Sequence, residues 1–335
     1  MPRLSVLLPV RDAAGTLQAC LDSLAAQSLP DHEVVAVDDG SRDGSGDVLR
    51  AAARSDRRLR VTSTAPRGLV SALRLALAAA RAPLVARMDA DDVARPERLA
   101  LQAERLERDG AVDVLGGRVV LTAAPGTRPG EGMRAYVDWQ NSLLDHDAIQ
   151  RDRFVESPLV HPSVAMRTEE LRRLGWRDFD GPEDYDLWLR AFDAGLRFAK
   201  LAETVLEWRD SPGRLTRTDP RYAPTRFLAL KLEALSRGLL AGRREAVVWG
   251  AGPVGRAWSR ALRAAGHPVQ AFVEVDPRKV GGKIHGVPVA AVAEAGGLRG
   301  PLHLAAVGQK GARARIRAEA SRLGLVEGVD IVAVA

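Results

Sequence analysis

Apolar residues fall in short blocks along the first half of the chain, and the blocks alternate between two periods. "LSVLLPV" (4–10) is almost continuously apolar, as a parallel strand covered on both faces should be. "TLQACLDSLAAQS" (16–28) places Leu17, Cys20, Leu21 and Leu24 on one helical face, with Thr16 read as its cap. "HEVVAVDDGS" (32–41) reads as a strand and a turn. "GDVLRAAARS" then reads as a helix, "LRVTST" as a strand, "GLVSALRLALAAARA" as a helix and "PLVARMD" as a strand. "RPERLALQAERLERDG" predicts a further helix, with Pro96 early and Gly110 at its end. "VDVLGGRVVLT" closes the series as a strand.

This rhythm predicts an α/β fold whose mostly parallel sheet carries helices on both faces. Ligands of such sheets sit at the carboxyl ends of the strands. Asp38 and Asp39 end one predicted strand; Asp89, Asp91 and Asp92 end another. Beyond them, "TAAPGTRPGEGMRAY" (122–136) reads as a loop, "GPEDYDLWLRAFDAG" (181–195) as a helix with Pro182 first, and "DSPGRLTRTDPRYAP" (210–224) as mobile. Trp188 falls at core spacing with Leu187 and Ala191. A helix at 225–240 precedes a new strand. The expected division is therefore a first domain over 1–240 and a second, smaller Rossmann-like α/β domain over 241–335.

Composition narrows the function. The 335 residues include 46% hydrophobic and 27% charged, enough for two cores. Aromatics are only 4%, which argues against a base-stacking surface and hence against nucleic acid as partner. The formal net charge is +6. Residues 241–335 hold 14 basic against 7 acidic residues, so the excess is C-terminal. It suits an anionic partner, although an exposed face of an Arg-rich protein explains it as simply. A single cysteine, Cys20, excludes a disulfide framework and a Cys-rich metal site. The start "MPRLSVLLPVRD" reads as a strand rather than a signal peptide, and no apolar run approaches 18 residues. The expectation is a cytoplasmic protein with no spanning helix, open to peripheral contact with the inner face of a membrane.

Three carboxylates within four positions repel one another unless a cation joins them. Oxygen ligands on a short loop suit Mg²⁺ or Mn²⁺, which take one or two carboxylates and leave room for a diphosphate. "PEDYDLWLR" adds Glu183, Asp184 and Asp186 at the start of a helix, where acidic side chains also complement the dipole. Asp186 and Arg190 are spaced to pair along that helix.

"SVLLPVRDAAGTLQACLDSLAAQ", "VVAVDDGSRDGS", "RMDADDVARPERL" and "GPEDYDLWLR" occur in that order. Together they resemble the family 2 glycosyltransferases of GT-A fold, over about residues 3–210. The resemblance implies that Pro9, Val10 and Arg11 line the donor base, with Asp38 or Asp39 on base or ribose. It implies Asp89 near the ribose or metal and Asp91 as the main metal ligand. Asp184 becomes the general base for an acceptor hydroxyl, supported by Glu183, and the anomeric carbon inverts. Arg190 and Arg209 become candidate diphosphate contacts, each with an alternative reading as a surface ion-pair partner. "SPLVHPSVAMR" (157–167) resembles the acceptor-side segment, which makes His161 a phosphate or acceptor contact or a structural turn residue. The expected donor is a nucleoside diphosphate sugar of the UDP class, and the acceptor a glycan or lipid-linked glycan of cell-surface polysaccharide assembly. "QRDRF" (150–154) approaches the motif of processive synthases, but it precedes Asp184 and ends in Phe; a single-addition enzyme is expected.

In the tail, Gly250-x-Gly252-x-x-Gly255 follows an apolar strand and opens a helix, with Glu274 and Asp276 ending the next strand. That is a candidate second nucleotide site, or a tight strand–helix turn and nothing more. The tail also resembles the small Rossmann-like N-terminal domain of bacterial sugar acyltransferases, through "KIHGVPVA". Three other functions fit the sequence less well. An NAD-dependent oxidoreductase working through the tail leaves Asp89, Asp91 and Asp92 unexplained. A sugar nucleotidyltransferase needs a Gly-rich, Arg-containing loop that "PVRDAAGT" lacks. A non-catalytic nucleotide-binding module would bind donor without transferring sugar.

Overall fold

The computed structural model describes residues 1–123, 128–211, 213–242 and 245–335. They divide into two compact units: Met1–Ile149 with Leu159–Pro220, and Gln150–Pro158 with Arg221–Ala335.

In the first unit the strands are β1 (Leu4–Val10), β2 (His32–Asp38), β3 (Leu59–Ser63), β4 (Leu84–Arg87), β5 (Val93–Ala94), β6 (Val114–Ala123), β7 (Ala165–Arg167) and β8 (Phe198–Asp210). They form one sheet in the order β3-β2-β1-β4-β7-β6-β8-β5. β1 runs parallel to both β2 and β4, whereas β7 lies antiparallel between β4 and β6. The helices are α1 (Ala14–Ala25), α2 (Ser45–Ser55), α3 (Leu69–Ala79), α4 (Arg98–Arg108), α5 (Glu131–Ser142), α6 (His146–Asp152, whose last three residues fall in the second unit), α7 (Thr168–Leu174), α8 (Glu183–Asp193) and the short α9 (Leu215–Thr218).

The unbroken apolar run of β1 follows from cover on both faces. Leu4, Val6, Leu8 and Val10 pack with Leu17, Cys20, Leu21 and Leu24 of α1 and Leu99, Ala103 and Leu106 of α4. Leu7 points the other way, among Val70, Leu73 and Leu77 of α3 and Leu187 and Trp188 of α8. Trp188 is 1% exposed, as its spacing predicted. β6 carries Gly117 because β8 presses on it: a Cβ there would lie 2.4 Å from a Val205 methyl.

Three local expectations change. α1 begins at Ala14 with Ala13 as cap residue, so Thr16 lies inside the helix and its hydroxyl donates to Ala90 O at 3.0 Å. Pro182 is the cap residue of α8 rather than its first residue. The loop expected at 122–136 is shorter, since β6 runs to Ala123 and α5 starts at Glu131; residues 124–127 lie outside the described ones.

The second unit contains α10 (Pro224–Arg237), β9 (Ala246–Trp249), α11 (Pro253–Ala264), β10 (Val269–Glu274), β11 (Lys283–Ile284), β12 (Val287–Ala291), β13 (Leu302–Ala305), α12 (Ala312–Arg322) and β14 (Ile331–Ala333). Its sheet order is β11-β12-β10-β9-β13-β14, parallel except for β11 against β12. The sequence-based division at 240 assigns the helix after residue 224 to the first domain; by contacts it joins the second unit. Arg243 and Arg244, at the expected boundary, lie outside the described residues. The second unit also takes in Gln150–Pro158, which holds the whole of "QRDRF". Asp152 there is 3% exposed and pairs with Arg317 at 2.5 Å, and Lys231 Nζ donates to Val155 O at 2.7 Å.

Candidate active site

The carboxyl ends of β1, β2 and β4 lie side by side, because Val10 pairs with Asp38 and Leu7 with Arg87. The expected donor-side residues therefore meet at one edge. Asp38 Oδ1 accepts the Ser41 N–H at 3.0 Å. Asp39 is 2% exposed, and its carboxylate braces the chain leading into α3: it accepts the N–H groups of Arg67 (2.7 Å) and Gly68 (2.9 Å) and Arg11 Nη1 (3.3 Å). Pro9 and Val10 are buried at the end of β1 and Arg11 is exposed beyond it.

The loop after β4 brings carboxylate oxygens of Asp89, Asp91 and Asp92 within 4.8 Å of one another. Each is treated differently by its surroundings. Asp89 is paired with Arg87 at 2.6 Å. Asp92 is 1% exposed; its Oδ1 accepts the Arg209 N–H at 2.8 Å, and its buried Oδ2 has no partner among the described residues. Burial and the charges of Asp89 and Asp91 hold the Asp92 carboxyl well above the usual range. Asp91 is pushed up to about 6 by burial and by Asp89. Three oxygen donors with an orphaned buried oxygen among them fit a hard divalent cation. Asp89 and Asp91 would hold it, with Asp92 behind them.

From the opposite side, α8 presents Glu183, which is buried, and Asp184, which is half-buried. His161 Nδ1 lies 3.6 Å from Glu183 Oε1. Burial lowers the His161 pKa despite Glu183, so the ring is neutral. It meets Trp188 edge-on at 5.7 Å and Trp176 at 6.0 Å. Arg87 joins the two sides. Its guanidinium contacts Asp89 and feels the charge of Glu183, and it lines a small void with His161, Trp176 and Trp188.

Arg190, a candidate diphosphate contact, is fully engaged elsewhere. It pairs with Asp186 at 2.8 Å and donates to the carbonyls of Leu174 and Gly175 at 2.8 and 2.6 Å. Arg209 reaches the site through its backbone N–H. Two arginines escaped the sequence reading. Arg87 sits inside a strand pattern. Arg214, in the stretch read as mobile, lies over the Trp208 ring at 4.0 Å, acts on Asp91 and Asp92 by charge, and keeps Nη1 buried without a partner among the described residues.

The sequence profile described as Glycosyl transferase family 2 matches residues 5–175, just over half of the chain, and so takes in β1 from Ser5 onward, the Asp cluster and His161. The chain belongs to glycosyl transferase family 2. It is a glycosyltransferase, with a mixed α/β fold of the GT-A type and a second, smaller sheet unit. The glycosyltransferase candidate EpsE of Bacillus subtilis is 28% identical over 228 residues, 66% of this chain and 78% of EpsE. The amylovoran biosynthesis glycosyltransferase AmsE of Erwinia amylovora is 28% identical over 212 residues, 61% of this chain and 75% of AmsE. Among solved structures, S. aureus TarS residues 1–349 in complex with UDP-GlcNAc superposes with a TM-score of 0.55 at 19% identity, covering 70% of this chain and 67% of that TarS 1–349 chain. The Pyrobaculum calidifontis mannosyltransferase PcManGT in complex with GDP-Man and Mn²⁺ gives 0.53 at 21%, covering 79% and 69%. These two share the fold.

In the second unit the glycine turn is explained locally. A Cβ on Gly255 would lie 1.8 Å from Gly250 O, so α11 can start where it does only with glycine there. Gly252 faces open space. Glu274 is turned back onto the motif: it accepts the N–H groups of Ala251 (3.0 Å) and Val275 (2.9 Å) and pairs with Lys279 at 3.2 Å. Asp276 pairs with Arg278 at 3.1 Å. No helix among the described residues is long and apolar enough to cross a membrane.

Proposed function

We propose that this enzyme transfers a sugar from a nucleoside diphosphate sugar to an acceptor hydroxyl, with inversion at the anomeric carbon. The supporting observation is the Asp89–Asp91–Asp92 cluster with its orphaned, buried Asp92 Oδ2 at the carboxyl end of β4. Mg²⁺ or Mn²⁺ held by Asp89 and Asp91 would supply Lewis-acid neutralisation of the departing diphosphate. Pro9, Val10, Arg11 and Asp38 line the nucleotide end. Asp39 shapes that end by holding the Arg67–Gly68 backbone.

Asp184 is the proposed base, since it is the half-buried carboxylate at the start of α8 and a base must be reachable by the acceptor. Glu183 stays buried and orients the neutral His161 ring. Arg214 adds positive charge beside the cluster, and Arg209 holds Asp92 through its backbone N–H. The base of the donor is proposed as uridine and the acceptor as a glycan or lipid-linked glycan. The AmsE relative, named for amylovoran biosynthesis, supports a role in polysaccharide assembly. A lipid-linked acceptor would bring the enzyme to the inner face of a membrane.

The test is a thermal-shift panel of UDP, GDP, CMP and NADH, each with Mn²⁺ or EDTA, on wild type and Asp91→Ala. A ligand at 100 times its Kd stabilises by about 2.7 kcal/mol. Stabilisation by one nucleoside diphosphate that needs Mn²⁺ and vanishes in Asp91→Ala is expected. Stabilisation by NADH alone, indifferent to metal and to Asp91, would move function to the second unit.

A further inference from the structure

Beneath the site, α4 carries a polar pair that touches no solvent. Arg98 and Gln102 are each 0% exposed and stand one helical turn apart. Arg98 Nη2 donates to Arg87 O at 2.7 Å, Nη1 to Met88 Sδ at 3.2 Å, and Nε to Gln102 Oε1 at 3.1 Å. Gln102 Nε2 donates to Ser163 O at 2.8 Å and to Leu115 O at 3.4 Å. One end of the pair therefore grips β4 two residues before Asp89. The other grips the chain two residues after His161. The gripped backbones also meet directly, since the Arg87 N–H donates to Val164 O at 2.9 Å.

Burying a guanidinium is costly, and a carboxylate partner normally offsets part of the cost. Arg98 forms no ion pair among the described residues; its donors go to a carbonyl, a thioether and an amide. An apolar side chain of similar volume would fill the same space more cheaply. What it would not do is fix two carbonyls that belong to opposite sides of the site. Errors of about 1 Å in placing catalytic groups cost about 100-fold in rate.

We infer that Arg98 and Gln102 are positioning residues that set the spacing between the Asp89–Asp92 loop and the His161 turn. The inference rests on the transferase reading of those two segments.

Three variants test it: Arg98→Met, Gln102→Met and Gln102→Glu. The last keeps an acceptor for Arg98 and loses the donor to Ser163 O. Three quantities are measured on the folded proteins: Mn²⁺ affinity by calorimetry, release of nucleoside diphosphate from UDP-GlcNAc and GDP-Man with water as acceptor, and backbone hydrogen exchange. Both Gln102 variants should cut turnover at least tenfold with Mn²⁺ Kd within twofold of wild type, and should speed exchange over 159–166. Arg98→Met should weaken Mn²⁺ at least fivefold, cut turnover, and speed exchange over 85–92. If the variants melt lower but keep wild-type turnover and Mn²⁺ Kd, the pair is a stabiliser only and the inference is overturned. If Arg98→Met does not fold, the two Gln102 variants decide. Asp184→Asn is the control. Should wild type and Asp184→Asn hydrolyse donor equally, the transferase reading fails on its own, while exchange still reports whether the pair fixes both backbones.

Discussion

Lys200 on β8 gives the sharpest stability prediction. The residue is 6% exposed, its Nζ donates to Gln140 O and to Gln140 Oε1 (2.7 Å), and its pKa is lowered to about 7 by burial, with Arg118 adding repulsion. In the unfolded chain the group titrates near 10.5. Between those values the unfolded state binds one more proton than the folded state. Stability therefore rises with pH across that window, by about 1.4 kcal/mol per pH unit. From pH 7.0 to 9.5 the gain is about 3 kcal/mol, or roughly 6–12 °C for a unit of this size. Other groups titrate there too, so the useful quantity is the difference between wild type and Lys200→Met. Methionine matches the stem, carries no proton and loses two neutral hydrogen bonds of about 1 kcal/mol each. Denaturant unfolding of both proteins at half-unit pH steps should show wild type gaining steadily on the variant from pH 7 upward. A difference that stays flat between pH 7 and 9.5 would mean that the amine is charged in the folded protein, and the reasoning would be wrong.

Other outcomes are as definite. Asp184→Asn should lower turnover by about 10²–10⁴ while nucleotide stabilisation in the thermal-shift panel is kept; loss of binding instead would assign Asp184 to the donor. Glu33→Gln should cost about 3 kcal/mol at pH 7, because it breaks a buried carboxylate from Arg81 (2.6 Å), Arg60 (3.0 Å) and Ser5 (2.7 Å). Burial raises the Glu33 pKa, but these partners outweigh it and hold it below the usual range, so its contribution is present above about pH 4.5 and lost as pH falls further. Acid titration of stability should be shallower in Glu33→Gln than in wild type. Gly255→Ala should cost at least about 3 kcal/mol, since backbone must move to clear a 1.8 Å contact. Limited proteolysis should then cut within 246–335 first.

Periodicity carried most of the strands and helices: α1 buries a face that local spacing defines, and the unbroken apolar run of β1 matches its burial on both faces. It failed where a residue's partner is distant. Thr16 looks like a cap beside its neighbours, yet its hydroxyl is taken by Ala90, 74 residues away. "QRDRF" has no local reason to leave the first unit; Arg317 and Lys231 draw the segment into the second. Nothing in "RPERLALQAERLERDG" singles out Arg98 or Gln102, because only folding brings β4 and the His161 turn over them. Arginines in a basic protein are the residues whose burial a sequence hides best. Arg87 and Arg98 are both buried, and both act on the site.

That concealment bears on why three aspartates stand together. The fold itself answers part of their repulsion. Asp89 has the Arg87 guanidinium at 2.6 Å. Asp92 has the Arg209 N–H, with Arg98 in range below it. Asp91 has no cation in hydrogen-bond contact among the described residues and feels Arg214 and Arg87 only at a distance. The compensation is thus uneven, and it is weakest at Asp91. A cluster meant only to be neutralised internally would spread its arginines over all three. Leaving Asp91 uncovered makes sense if the missing charge arrives from outside with the diphosphate, which is why the proposed cation falls to Asp91 first, Asp89 second and Asp92 behind them.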